Sequence, residues 1–199
     1  MTATLPFYVA ADDPPAKREI LRAGLKLFSE RGLAATSIRD IAEESGYTNP
    51  ALYKHFAGKD ELALHLFEVC HARVWARCSE ALSAQTGFEA KLEAYVAAWL
   101  DLTDSEPEVL AFLSDSARVL WPRSSATLHR KTMIGLARTL VAEAPAVRRR
   151  PKAIAADVAA ASIQGTLAEL GRMIQVGVTP GPARRWLGSL VALFRQLLT

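Results

Sequence analysis

Between Thr48 and Phe56 the sequence reads TNPALYKHF. On a helix Leu52 and Phe56, four residues apart, share one face and can anchor it. Thr48, Asn49, Ala51, Tyr53, Lys54 and His55 are then left to face outward or sideways. Small, hydrogen-bonding and cationic groups of this kind suit contacts to base edges and phosphates in a DNA groove. Catalysis needs a different arrangement, in which acid, base or nucleophile converge. The four histidines, His55, His65, His71 and His129, are scattered. His65 and His71, six apart on one predicted helix, fall on opposite faces, and no HExxH or nucleophile–base triad is present. The expectation is a chain that is not an enzyme and uses no metal and no cofactor.

The elements around this segment are helical. From Ala16, the residues Ile20, Ala23, Gly24, Leu27 and Phe28 form one apolar stripe, and Arg31-Gly32 ends it with a glycine suited to a left-handed cap. In TSIRDIAEES, 36–45, Ser37 can cap and Asp40 completes a variant capping box, while Ile38, Ile41 and Ala42 supply an apolar face. Gly46 breaks that helix, and Thr48 can cap a short third one over 49–55, with Pro50 tolerated in its first turn. A long helix is expected over 59–83, where Gly58 is an acceptable N-cap and Glu61 a favourable third residue. Further helices are expected near 87–103, 106–120, 124–144, 151–177 and 182–198, separated by Gly- and Pro-containing breaks. The fold class is all-α, about nine helices. Two domains are expected: a three-helix helix-turn-helix domain over 16–58 and a helical remainder over 59–199. Residues 1–15, with Pro6, Pro14 and Pro15, are expected to be a flexible arm.

Bulk charge does not make the case for nucleic acid. The net charge is +3, and residues 1–60 balance eight basic side chains against eight acidic ones. The run Arg148-Arg149-Arg150-Pro151-Lys152 sits between two apolar helices and reads as a solvated turn, with a nucleic-acid patch as the alternative. Cys70 and Cys78 lie about 12 Å apart on one helix, too far to bridge. The start MTATLPFYVA has neither a basic beginning nor a long apolar run, and no stretch of about 18 apolar residues occurs anywhere. No membrane association is expected, and the expected location is cytoplasmic.

The segment 36–67 resembles the DNA-binding domain of the TetR family. Ile41-Ala42, Gly46, Leu52-Tyr53-Lys54-His55-Phe56 and Lys59-Asp60-Glu61-Leu62 stand in the family's places, and the preceding helix, with Phe28 and Gly32, matches as well. Tyr47, where a small aliphatic residue is usual, and Ala57-Gly58, in place of Pro-Ser, depart from it. The resemblance implies that Asn49, Pro50 and Ala51 approach base edges. It implies phosphate contacts for Tyr53, His55 and Lys59 and, through hydroxyls and amides, for Thr36 and Ser37. Lys54 could do either, Thr48 opens the same helix, and Arg39 could reach a phosphate. The alternatives are packing on the bundle for Tyr53, a surface imidazole for His55 and a solvated lysine for Lys59.

One such unit reads few base pairs, so a two-fold dimer on double-stranded, palindromic operator DNA is expected. The last two helices are the expected homodimer interface, as in the family. Small residues including Gly165 and Ala168 permit close approach, and Leu187, Leu190, Val191 and Phe194, extended by Trp186 and Leu197, make a stripe that a monomer could also bury internally. The family further implies a small-molecule effector held between the fourth helix and later ones. Candidates for its pocket are Phe67, His71, Trp75, Tyr95, Trp99, Phe112, Trp121 and Met133, with Gln164 as a polar handle; ordinary core is the alternative for each. The implied function is a ligand-responsive DNA-binding transcriptional regulator, as a repressor released from its operator by the effector. A helical adaptor is the rival class, and it predicts no salt-sensitive DNA binding.

Overall fold

The computed structural model describes residues 6–145 and 155–198. Among the described residues all regular structure is helical. The elements are α1 (Pro15–Ala35), α2 (Ile38–Ser45), α3 (Asn49–Tyr53), α4 (Lys59–Ser83), α5 (Phe88–Ser105), α6 (Pro107–Leu120), the single turn α7 (Ala126–His129), α8 (Met133–Ala142), α9 (Ala156–Gln175) and α10 (Leu187–Leu198). Short 3-10 turns lie at Trp121–Arg123 and Ala183–Trp186. The basic run 148–152 lies outside the described residues. No described helix is long and apolar enough to cross a membrane.

The chain divides into two compact units, and the division is not at residue 58/59. The first comprises the described residues as far as Arg73 together with Glu108–His129. Its core is built on α1, whose expected stripe is buried and widened by Leu21 and Leu25. The helix α6 also packs here, with the Phe112 ring stacked on Phe28 at 5.7 Å and Phe67 edge-on to Phe112 at 6.4 Å. Gly24 permits close approach of α1 to α4, since a Cβ there would stand 2.6 Å from a Leu62 methyl. Gly32 is not the expected left-handed cap. Its φ of 79° and ψ of 164° put a kink in α1, which resumes for one short turn to Ala35.

Residues 6–14 are not a loose arm. Val9 and Asp13 are buried. The Arg73 guanidinium donates to the carbonyls of Pro6, Phe7 and Val9 at 3.0, 2.6 and 2.7 Å, and Arg18 donates to those of Asp13 and Ala11. Lys17 pairs with Asp13 at 2.6 Å, which also accepts the Ala10 N–H. A sequence reading of prolines and aspartates sees an arm; the cations that hold it come from residues up to 67 positions away.

The second unit comprises Val74–Pro107 and the described residues from Arg130 onward. Leu92, Tyr95, Val96 and Trp99 of α5 meet Leu136, Ala137 and Leu140 of α8, Ile163 and Leu167 of α9, and Phe194 of α10 in its core. Small residues (Ala137, Ala159, Ala160) let α8 and α9 run close together. The helix expected over 124–144 is broken. Thr132 accepts the Gly135 N–H at 2.9 Å and caps a new helix at Met133, a local competitor for the backbone in mid-segment. Asp104 accepts the N–H groups of Ala183 and Arg184 and so fixes the turn that leads into α10. Both cysteines are buried thiols, and burial pushes that of Cys78 up to about 12.

Candidate nucleic-acid interface

Local chemistry builds a helix-turn-helix from α2 and α3. At the start of α2, Ser37 accepts the Asp40 N–H and the Asp40 carboxylate accepts the Ser37 N–H at 2.7 Å, a complete capping box. The Ser37 hydroxyl, which donates to the Asp40 carboxylate at 2.6 Å, and then the Ser37 N–H hold that carboxyl below its usual range. At the end of α2, Gly46 adopts φ 73° and ψ 15°, a left-handed stop that only glycine enters without strain. The tilt of α2 on α1 is fixed by Glu44: its carboxylate takes Lys26 at 3.0 Å and Arg22 at 3.3 Å, and Arg22 also donates to the Glu44 carbonyl. Hydrogen bonds from Lys26 and Arg22 depress the Glu44 pKa.

The helix α3 is shorter than expected, ending at Tyr53, and it is anchored as the sequence implied. Leu52 is fully buried and Phe56 nearly so. Phe56 lies against His65 at 5.4 Å and beneath the Lys17 ammonium. Burial, then the Lys17 charge, lowers the His65 pKa, which keeps this imidazole neutral beside the lysine. On the other side Thr48, Pro50, Tyr53 and Lys54 are exposed, and Asn49, Ala51 and His55 are half-buried. Tyr53, at 54% exposure, does not pack on the bundle. Thr48 has N-cap backbone geometry, yet its hydroxyl caps nothing. Ser37 and Arg39 are exposed at the start of α2. This is a polar edge with an apolar back, 48–55, joined to a second polar end at 37–39.

Two expected contacts are placed differently. Thr36 is buried, and its hydroxyl donates to the Gly32 carbonyl at 2.9 Å, satisfying the kink in α1. No side-chain contact from Thr36 to a phosphate is available. Lys59 donates to the carbonyls of Leu33 and Thr36, both at 2.7 Å. The cation serves the end of α1, where carbonyls lack helical partners and a positive charge is favoured. That bonding accounts for a lysine at the start of α4 without invoking a phosphate, although one of its three N–H donors remains. At the same turn, Glu61 accepts the Ala57 N–H.

The sequence profile described as "Bacterial regulatory proteins, tetR family" matches residues 20–66, which span this whole arrangement from α1 into α4. Residues 20–66 of this chain match the TetR family's DNA-binding region. The HTH-type transcriptional repressor KstR2 of Rhodococcus jostii is 30% identical over 114 residues, 55% of this chain and 56% of that protein, so the match spans just over half of the relative's length. Among solved structures, that described as the ketosteroid transcriptional regulator KstR2 of Mycobacterium tuberculosis superposes with a TM-score of 0.81 at 20% identity, over 98% of this chain and 99% of that one. FadR of Bacillus subtilis, solved in complex with stearoyl-CoA, gives a TM-score of 0.67 at 15% identity, over 88% and 96%. At such identities the likeness is one of fold: the TetR fold extends over both units.

The nine effector candidates fall into two sets. In the first unit, Phe67 and Phe112 are fully buried members of the phenylalanine cluster on α1, and so are core. His71 and Trp121 are half-buried, with rings 5.3 Å apart, and the other face of Trp121 stacks on His129 at 4.9 Å. Nδ1 of His71 is buried without a hydrogen-bond partner, and burial lowers its pKa to about 4. In the second unit, Tyr95 donates to the Gln164 side-chain oxygen at 2.8 Å, and the Met133 carbonyl is 3.5 Å from the same hydroxyl. Trp99, one turn on from Tyr95, carries a buried indole N–H without a partner. Trp75 lies beneath the Lys131 ammonium, 5.0 Å from its ring centroid. An unpaired buried polar atom costs roughly 1–3 kcal/mol, so among the described residues His71 and Trp99 carry polar atoms that call for a partner.

The expected dimer stripe turns inward. Phe194 is fully buried and Val191 and Leu190 nearly so, all within the second unit, which is the internal alternative that the sequence left open. Gly165 and Ala168 of α9 are exposed, and Trp186 and Leu187 are half-buried. A groove of about 500 Å³ runs between α9 and α10, lined by Gly165, Thr166, Glu169, Leu170, Met173, Trp186, Ser189, Leu190 and Leu193. Leu193 is 49% exposed. The sequence reading passed over it because it stands beside the stronger stripe of Leu187, Leu190, Val191 and Phe194. The second missed residue is Tyr47, 36% exposed in the turn before α3, whose signal was an aromatic ring where a small aliphatic group suffices.

Proposed function

We propose that this chain is a dimeric transcriptional repressor that binds a palindromic operator through α2 and α3 and leaves it when an apolar small molecule binds. The single observation that carries the reading is the anchored α3, with Leu52 and Phe56 buried behind an exposed edge of Thr48, Tyr53 and Lys54. Asn49, Pro50 and Ala51 read bases; Asn pairs two-pronged with adenine, and Ala meets a thymine methyl. Ser37, Arg39, Tyr53, His55 and Lys54 hold phosphates and fix the register. Two copies join through α9 and α10 by the groove that Leu193 and Leu170 line. It acts in the cytoplasm.

KstR2 of Mycobacterium tuberculosis is a ketosteroid transcriptional regulator, and FadR of Bacillus subtilis was solved with stearoyl-CoA bound. Within the second unit, the unpaired Trp99 indole N–H and the Tyr95–Gln164 pair beside it suit an apolar molecule with few polar groups. Because α4 carries Lys59 at one end and Trp75 beyond its middle, a ligand that favours one position of that helix changes the spacing of two recognition helices. A preference of about 100-fold for the released state supplies roughly 2.7 kcal/mol per site.

The test is a gel shift with duplex DNA from the chain's own promoter region at two salt concentrations. Operator affinity falls steeply with salt, as counterion release requires. Asn49→Ala weakens binding and relaxes preference at one base position. Binding that is absent, or indifferent to salt, returns the chain to the adaptor class. Trp75, Trp99 and Trp121 make intrinsic fluorescence a direct screen for the effector.

A further inference from the structure

The turn between α2 and α3 needs little from residue 47. Gly46 stops α2 by donating its N–H to the Ala42 and Glu43 carbonyls, and the Tyr47 N–H donates to Ala42 at 3.1 Å. In such a stop, the residue after the glycine supplies an apolar contact to the last helical turn. An isopropyl group would do that. This chain has a phenol there, 36% exposed, whose hydroxyl has no hydrogen bond among the described residues. The next residue, Thr48, also presents a hydroxyl that caps nothing.

We propose that Tyr47 is an affinity-setting residue of the operator interface, its phenolic O–H donating to a DNA phosphate at the rim of the groove. The inference rests on the DNA-binding reading above. The side chains of Asn49 and Pro50, the first helical residues, stand over the groove floor in that reading. Tyr47 is rooted two residues earlier, outside α3, where the rim and its phosphates pass. Its ring is neutral, so it releases no counterion, in contrast to Lys54. A phenol-to-phosphate bond fixes position and carries no base information.

The experiment compares wild type, Tyr47→Phe, Tyr47→Val and Asn49→Ala on one duplex, the palindrome that the wild-type protein selects from random-sequence DNA. Tyr47→Phe keeps the ring and loses the hydroxyl; its affinity drops about three- to tenfold, equally on every single-base variant of the duplex, with an unchanged salt slope. Tyr47→Val keeps the apolar contact and falls by the same factor, which assigns the loss to the hydroxyl. Placing single methylphosphonates along the duplex finds one position that weakens wild type but not Tyr47→Phe. Wild-type affinity in Tyr47→Phe, or a loss confined to one base position, overturns the phosphate contact. When Asn49→Ala still shifts base preference in that case, the DNA-binding reading stands and only the Tyr47 inference falls. Failure of wild type to select any duplex overturns both.

Discussion

Two outward faces of this molecule differ in chemistry although each is built on a buried leucine or phenylalanine. On α3, Leu52 is inside and the outside is Thr48, Tyr53 and Lys54; on α10, Phe194 is inside and the outside includes Leu193 and Leu197. The first face offers donors and a cation to something polar. The second offers aliphatic surface to something like itself. A helix's inward stripe tells only that it packs; the partner is written on the side that packing leaves over.

Substitutions at the two faces separate these roles. The largest effect is expected from Leu52→Ala, which empties a fully buried site behind α3 and costs about 2–5 kcal/mol, read as a fall in the denaturation midpoint together with lost operator binding. Leu193→Asp should do the reverse: stability of the subunit changes by about 0.5 kcal/mol or less, while sedimentation shows monomers and operator affinity falls about 100-fold through lost bivalence. A dimer that survives Leu193→Asp would remove the groove from the interface.

A third difference is in pH. His71 is held neutral by burial, with its folded pKa near 4 against 6.5 unfolded. The unfolded chain therefore takes up its proton first, and stability is full above pH 6.5 and declines as pH falls towards 4. His71→Phe should flatten that decline, leaving the smaller share of His65, whose pKa is lowered in the same direction. An unchanged profile would place the acid sensitivity elsewhere.

The smallest expected effects are the most diagnostic. Ser37→Ala removes a working cap and costs about 1 kcal/mol. Thr48→Ala removes a hydroxyl that caps nothing, so melting should be unchanged while operator affinity drops. If Thr48→Ala destabilised the fold as much as Ser37→Ala, the hydroxyl would be structural and the exposed edge would lose one of its donors.

Much of the first face was legible in the sequence because its determinants are local. Ser37 and Asp40 are three residues apart, Leu52 and Phe56 four, and Gly46 needs only its own torsions. Apart from the Thr132 cap and the Gly32 kink, what could not be read was a matter of distant partners. Lys59 is spoken for by Leu33 and Thr36, 26 and 23 residues away, and no spacing rule announces it. Residues 6–14 look loose until Arg73 is placed against them. The helix α6 joins the first unit through Phe112, although it follows α5 of the second. On α10 the stronger of two stripes turns inward, and the period alone does not say what covers the weaker one.

The two thiols have a practical consequence. Cys70 and Cys78 are the only cysteines in the chain, and both are sealed inside. Burial holds the Cys78 sulfhydryl protonated, and reagents that attack thiolates find little to react with. A single cysteine placed at exposed Lys54 would then take a spin or fluorescent label on an otherwise native background. A pair of such labels, one per copy, would report the recognition-helix spacing as a ruler distance before and after a candidate effector is added.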